Sequence, residues 1–349
     1  MFFLKKKVNR DAIPDLIPDY IENTLRPAVA ILKDGIKEIK PVETGRNTFL
    51  RIITTPNGRK IIVRIFPFNP NKEKAIEHCY ISTLFNKCGL KTPAILFKDT
   101  SPETRQRFGF DVVVEEHSDG QHILMETLNL DAAVRKNFVR HILDLHSRKD
   151  TNSGKVWRPK NERENPVAYY LERSSLYLKR VSNNIEEMKP KDQKKFLSAI
   201  EHLLHRIEDI NEFNLIHGDI QDENIIFTPE KDFVFLDFGT SCFGYFEEDL
   251  AGILYGIYGG ARDGFNLFLH DYFEVADKEH QKRYEHTQAF FYAYYYLEKA
   301  SSSSEKVRRI QEGIKSSQPD AVTKFMRSKA ERMWEKFLLT IQQSHHYQE

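Results

Sequence analysis

A short acidic loop enclosed by very short apolar runs constrains this chain more than any other feature. It reads Leu215-Ile216-His217-Gly218-Asp219-Ile220-Gln221-Asp222-Glu223-Asn224-Ile225-Ile226-Phe227. A second run, Phe233-Val234-Phe235-Leu236, follows and ends in Asp237-Phe238-Gly239. Apolar runs this short, separated by Pro229-Glu230-Lys231-Asp232, read as two strands around a turn. Helical patterns surround the island. Val134/Phe138/Ile142/Leu145 and Phe196/Ile200/Leu203/Leu204/Ile207 are amphipathic at helical spacing, and most of the chain beyond Asp249 reads as helix. The fold must therefore seat a small strand–turn–strand unit, with polar residues at its edge, within a mainly helical region.

The first third has a different texture. Phe49-Leu50-Arg51-Ile52-Ile53 and Ile61-Ile62-Val63-Arg64-Ile65-Phe66 are β-prone, and Pro56-Asn57-Gly58 between them predicts a hairpin. From Lys72 to Lys87, Ile76, Tyr80, Ile81, Leu84 and Phe85 recur at helical spacing, and Gly89 ends the run. Pro93–Phe97 and Asp111–Glu115 supply two more strands. This is an α+β chain, with a small antiparallel sheet carrying one helix, then a larger helical part. A length of 349 residues exceeds one ordinary core. The expected division is residues 1–116, a polar hinge at 117–120 (His117-Ser118-Asp119-Gly120), and 121–349. Lys149 to Pro166 reads as a long surface loop and Ser301–Ser304 as a short polar one. Phe290-Phe291-Tyr292-Ala293-Tyr294-Tyr295-Tyr296 reads as a core helix, with a stacking box for a sugar or base as the alternative.

Charge excludes little but weights the options. Lys and Arg number 52 against 51 Asp and Glu, so neither nucleic acid nor an anionic membrane surface is an expected partner. No apolar run reaches the roughly 18 residues of a membrane span. Met1-Phe2-Phe3-Leu4 followed by three lysines does not have the order of a signal peptide. Three scattered cysteines suit neither a disulfide framework nor a four-ligand zinc site, so a cytoplasmic location is expected. Oligomeric state is not addressed by any feature.

Asp219 and Asn224 stand five residues apart at a loop leading into a strand, and Asp237 ends the next strand. Phosphoryl transfer from ATP needs such a set. A carboxylate orients the attacking hydroxyl and accepts its proton, and hard oxygen donors hold Mg²⁺ against the phosphates. The order matches His-x-Asp-x-x-x-x-Asn followed by Asp-Phe-Gly. On these residues the chain resembles the aminoglycoside-phosphotransferase-like kinases, relatives of the protein-kinase fold, from about Ile36 to about Ile257. His-Gly-Asp stands where protein kinases usually have His-Arg-Asp. Glu248-Asp249-Leu250-Ala251 is similar to the family's Asp-Leu-Ala, and Leu143-Asp144-Leu145-His146 to its Leu-x-x-Leu-His type of helix ending.

The resemblance implies a bilobal kinase-like fold using ATP and Mg²⁺ on a small-molecule hydroxyl. It implies Asp219 as the catalytic carboxylate, Asn224 and Asp237 as metal ligands, and His217 as a brace for the loop. Arg64 stands where the family's relatives carry a phosphate-holding lysine, with Lys60 the second choice by strand parity. Ile62, on the same face, would cover adenine. Glu77 would anchor Arg64, with Glu73 the alternative. Arg46 and Asn47 in the loop around Gly45 are candidates for phosphate contact, although G-x-G-x-x-G is absent. Glu115 and His117 occupy the segment whose backbone would meet the adenine edge. Glu247, Glu248, Asp249, Asp263 and Asp271 offer carboxylates for an amine-bearing acceptor, while a sugar or amino alcohol fits equally. A protein Ser/Thr kinase and a non-catalytic nucleotide-binding module are the competing readings. Against the former, Ala-Pro-Glu is missing after Gly239, and the segment to Asp249 is short.

Overall fold

In the computed structural model, residues 12–42, 48–156, 165–183, 190–311 and 319–346 are described. They fall into two units. The first holds the chain up to Ile123 and takes back Glu223–Gly239; the second holds Leu124–Asp222 and everything from Thr240. The return of Glu223–Gly239 to the first unit is not visible as a break in the sequence.

The first unit opens with α1 (Ile13–Tyr20), a π-turn (Ile21–Leu25) and the short α2 (Arg26–Ala28). Then come β1 (Glu38–Val42), β2 (Phe49–Thr54), β3 (Lys60–Pro67), α3 (Lys74–Lys87), β4 (Ile95–Asp99), α4 (Pro102–Phe108), β5 (Phe110–Glu116) and β6 (Gln121–His122). The sheet is antiparallel in the order β1-β2-β3-β5-β4. Its hairpin closes with Thr54 opposite Lys60, and Thr55 ties the turn by hydrogen bonds to Asn57 and the Arg59 carbonyl.

Strand alternation sends Ile61, Val63 and Ile65 to one face, where they join Ile53, Val112 and Val114. That face is covered by Ile13, Ile17, Tyr20, Ile21 and Leu25. The sheet thus carries more than the one expected helix, because its second apolar face also needs cover. Ile62, Arg64 and Phe66 point the other way, toward α3, where Phe66, Ala75 and Val113 pack with Cys79 and Ile95. The phase of α3 differs from its apolar pattern. Ile81 and Phe85 are buried together with Glu77 and His78, whereas Tyr80 is half exposed and Ile76 lies near the surface. Polar partners on the sheet, not apolar count, set the face that turns inward.

The second unit begins with α5 (Met125–Leu130), α6 (Ala132–His146), β7 (Lys149–Asp150), β8 (Gly154–Lys155), α7 (Pro166–Ser182), α8 (Pro190–Leu204) and β9 (Phe213–Ile216). The chain then enters the first unit for β10 (Ile225–Phe227) and β11 (Phe233–Phe235), which pair with each other, β10 also with β6. The rest is β12 (Cys242–Gly244), α9 (Phe246–Gly252) with a π-turn (Ile253–Ile257), α10 (Arg262–Val275), α11 (Lys278–Gln311) and α12 (Pro319–His346). A four-stranded sheet, β7-β9-β12-β8, sits among these helices. The stretch expected as one loop from Lys149 therefore contributes two short strands before its undescribed part. Ser301–Ser304 corrects a second expectation. These serines lie inside α11, and Ser301, Ser303 and Ser304 are buried; small hydroxyl side chains fit a tight helix contact, so polarity alone misreads them.

Candidate active site

The loop that carries Asp219 leaves β9 at His217, and a buried carboxylate sets its course. Asp249 of α9 accepts the backbone N–H of His217 through Oδ2 and that of Gly218 through Oδ1, each at 2.8 Å. Its Oδ2 also meets His146 Nε2 at 3.2 Å, and His146 Nδ1 meets the Tyr272 hydroxyl at 2.9 Å. A carboxylate receiving several N–H groups fixes the backbone by charge-assisted bonds. On the other side, the His217 carbonyl accepts from Thr240 Oγ1 and Ser241 Oγ. The Asp219 N–H donates to His217 Nδ1 at 3.3 Å. His217 is fully buried and is thus a brace within the loop.

Two glycines are needed for this path. Gly218 has φ +78°, and a side chain there would press on the Thr240 carbonyl. Gly256, in the π-turn after α9, lies against the loop itself. A Cβ at that position would stand 2.6 Å from the Ile220 carbonyl oxygen and 2.9 Å from Gln221 Cα. The loop's backbone therefore rests directly on the backbone of the following helical segment.

Asp219 emerges from this support partly exposed. Its Oδ2 accepts from Gln221 Nε2 and its Oδ1 from Lys299 Nζ, both at 3.2 Å. Lys299 comes from α11, and its ammonium also lies 5.0 Å from the centre of the Tyr295 ring. Burial disfavours the charge of Lys299, but Tyr295, Glu298 and Asp219 together raise its pKa above the ordinary lysine value. A narrow crevice opens at this point, lined by Asp219, Glu248, Tyr294, Tyr295, Glu298 and Lys299. Burial, with Asp249 and Glu298 close by, pushes the Glu248 carboxyl well above the usual range.

Of the other carboxylates considered for an acceptor, Asp249 holds the loop. Glu247 is locked to Arg283 and Thr287, Asp271 to Arg135, and Asp263 is exposed in the first turn of α10. Glu298 and Lys299 escaped the sequence reading. Their one signal is helical phase, since they share a face of α11 with Tyr294 and Tyr295. The aromatic stretch itself is mostly core, with Phe290, Phe291, Tyr292 and Tyr296 buried.

Asn224 and Asp237 both belong to the first unit. The Asn224 carbonyl accepts the N–H of Leu236, so Asn224 and the residue before Asp237 are tied across the hairpin end. Asp237 is exposed and adopts φ +49°, a left-handed conformation that Asp tolerates better than most residues and that clusters at functional sites. Phe238 anchors the turn. It stacks on His78 at 4.7 Å and packs on Phe85 at 5.5 Å. An amide and a carboxylate at one hairpin end are hard oxygen donors, a set that fits Mg²⁺.

In the same unit, Arg64 Nε donates to Glu115 Oε2 at 2.8 Å, and His78 Nε2 is bonded to Glu115 Oε1. Burial alone would raise the Glu115 pKa, but Arg64 and His78 hold it down at about 2. Glu115, expected to matter through its backbone, thus also carries a buried ion pair. Glu77 is buried on the first turn of α3 next to His78. Lys60 is exposed, Ile62 half-buried on the Arg64 side of β3, and His117 pairs with Asp119 at 3.2 Å. Arg46 and Asn47 lie outside the described residues.

The sequence profile of the phosphotransferase enzyme family, APH, matches residues 38–285. The chain belongs to that family. Its fold is shared by Plasmodium vivax ethanolamine kinase, at 16% identity and a TM-score of 0.63, over 95% of this chain and 91% of the other. The choline kinase LicA from Streptococcus pneumoniae aligns at 14% identity and a TM-score of 0.58, over 93% and 99%. A thermostable mutant of the aminoglycoside phosphotransferase APH(4)-Ia, in ternary complex with ADP and hygromycin B, aligns at 12% and 0.56, over 91% and 98%. No curated protein sequence matches the chain significantly. Among the described residues, no helix of this family member is long and apolar enough to cross a membrane.

Proposed function

We propose that the protein transfers the γ-phosphoryl group of ATP to a hydroxyl of a small molecule. The observation that carries this reading is the loop at Asp219: a partly exposed carboxylate, braced through Asp249, Gly218 and Gly256, at the wall of a crevice. The nucleotide bound by the APH(4)-Ia relative supports ATP as donor. Asp219 orients the acceptor O–H and takes its proton as the oxygen bonds to the γ-phosphorus; the bond to the β–γ bridging oxygen breaks, and ADP leaves. Asn224 and Asp237 would hold Mg²⁺, which neutralises phosphate charge when bound. Arg64, oriented by Glu115, would grip phosphate oxygens, with Glu77 supporting it from α3. Ile62 would cover adenine, and the backbone at Glu115 and His117 would meet its edge.

A protein acceptor is less well supported. Between Gly239 and Asp249, β12 and the start of α9 occupy most of the chain and leave no long docking loop. The test is ADP formation with a panel of sugars, amino alcohols and aminoglycosides, using Asp219→Ala as the blank. Acceptor-dependent turnover should fall by about 10²- to 10⁴-fold in the variant. Undiminished turnover in Asp219→Ala would remove that residue from its role, and nucleotide binding with no turnover would favour a non-catalytic module.

A further inference from the structure

The acceptor pocket already contains a cation of its own. Lys299 Nζ is 3.2 Å from Asp219 Oδ1, the carboxylate that the proposed reaction brings to the acceptor hydroxyl. The lysine side chain is only 22% exposed, and the Tyr295 ring faces its ammonium at 5.0 Å. Ion pair, aromatic face and enclosure together oppose its leaving the site.

We infer that Lys299 makes this pocket selective for a neutral polyhydroxy acceptor, a sugar or sugar-like polyol, over a small cationic amino alcohol. The inference rests on the reading of Asp219 as the residue that meets the acceptor. In an amino alcohol such as ethanolamine or choline the nitrogen is two carbons from the reacting oxygen. A hydroxyl held by Asp219 would therefore bring that positive charge close to the Lys299 ammonium. Asp219 and Glu298 attract a cation, but the ammonium paired with Asp219 opposes a second positive charge beside it, and such juxtaposition is a common way of rejecting a wrong partner.

A neutral polyol meets no such barrier. The partly exposed Tyr295 offers apolar ring surface to a sugar's C–H face, and Glu248 and Glu298 offer oxygens to its hydroxyls. Lys299 carries three N–H donors and places one on Asp219, so it can also donate to an acceptor oxygen. The ethanolamine and choline kinases share the fold with this chain at 16% and 14% identity, which leaves the lining of each pocket its own.

The test uses choline as the probe, with binding measured by calorimetry on the full chain in the presence of ADP and Mg²⁺. Lys299→Met keeps the unbranched side chain, one atom shorter, and removes its charge, leaving Asp219, Glu298 and Tyr295 as a site for a cation. Choline should bind the variant at least about tenfold more tightly than the unaltered protein. Equal affinities, or no binding to either, overturn the inference. Lys299→Gln repeats the comparison, with thermal melting monitored by circular dichroism, in case the methionine variant does not fold. Turnover of choline or ethanolamine by the unaltered protein faster than of every neutral sugar would also overturn it. Failure of the underlying reading registers separately, as acceptor-dependent ADP formation that survives in Asp219→Ala.

Discussion

Glu115→Gln isolates the electrostatic contribution of the ion pair beneath β3. Glu115 is 1% exposed, and its carboxylate meets Arg64 and His78 at once. Burial by itself penalises the charge, so the two partners must outweigh that cost to lower the pKa from 4.5 to about 2. Such a depression corresponds to stabilisation on the order of 3 kcal/mol at neutral pH. Because the folded value lies below the unfolded one, this stability is fully present above pH 4.5 and is lost as pH falls toward 2. About 2 kcal/mol of it should be gone by pH 3. The glutamine variant keeps the shape but has no carboxylate to titrate. It should be less stable at pH 7 by a comparable amount, since Arg64 then lacks its counter-charge, and should lose less on acidification. Amide hydrogen exchange in peptides covering residues 60–67 and 110–116, at pH 7 and pH 3, gives the local opening free energy of both proteins. If the two lose the same free energy between these pH values, the ion pair does not hold Glu115 in its charged form.

Arg64→Ala should raise the KM for ATP by about tenfold if its guanidinium holds phosphate, with Lys60→Ala nearly silent; the reverse pattern in a steady-state assay would move the role to Lys60. Asp237→Asn keeps a side chain that tolerates the left-handed backbone yet removes the charge. It should weaken nucleotide binding in the presence of Mg²⁺ and leave binding in EDTA unchanged, as read by equilibrium titration with a fluorescent ATP analogue. Gly256→Ala should cost about 1–3 kcal/mol in urea unfolding by forcing the loop backbone away. It should lower kcat more than the KM for ATP, because the displaced segment carries Asp219; an unchanged kcat would separate loop position from turnover.

The two short strands around Asn224 and Asp237 were legible because their signals are local. Apolar runs of three or four residues on either side of Pro229-Glu230-Lys231-Asp232 specify a hairpin within the chain itself. Hairpin β2–β3 was legible for the same reason, since Pro56-Asn57-Gly58 and the alternating neighbours act within a few residues. Contacts distant in the chain left weaker traces. Glu115 is 51 residues from Arg64, and nothing in Asp-Val-Val-Val-Glu says that its last side chain turns inward onto a helix. His78 stands out in no pattern of its run, yet it stacks on Phe238. Ile76 and Tyr80 misled for a related reason: their spacing fits a buried face, but the buried ion pair fixes the helix in another rotation. Gly256 carried no signal at all, because a close backbone approach depends on a loop 36 residues earlier in the chain.

Lys299 shows how one helix serves both core and site. Leu297 and Ala300 on either side of the Glu298-Lys299 pair are fully buried, as is Ser301. Rolling α11 to withdraw Lys299 would drag these residues toward solvent and open gaps in close-packed surroundings. The ammonium is therefore delivered to Asp219 by packing elsewhere on the helix, and its position is a property of the fold more than of a single flexible side chain. The same packing presents Tyr294 and Tyr295 one turn earlier. An aromatic stretch that serves as core on one face thus necessarily forms a pocket wall on the other. Substitution in such an arrangement is tolerated on the exposed face, since the buried face resists change. A neutral side chain at position 299 would change what the exposed face carries while Leu297 and Ala300 keep their buried places.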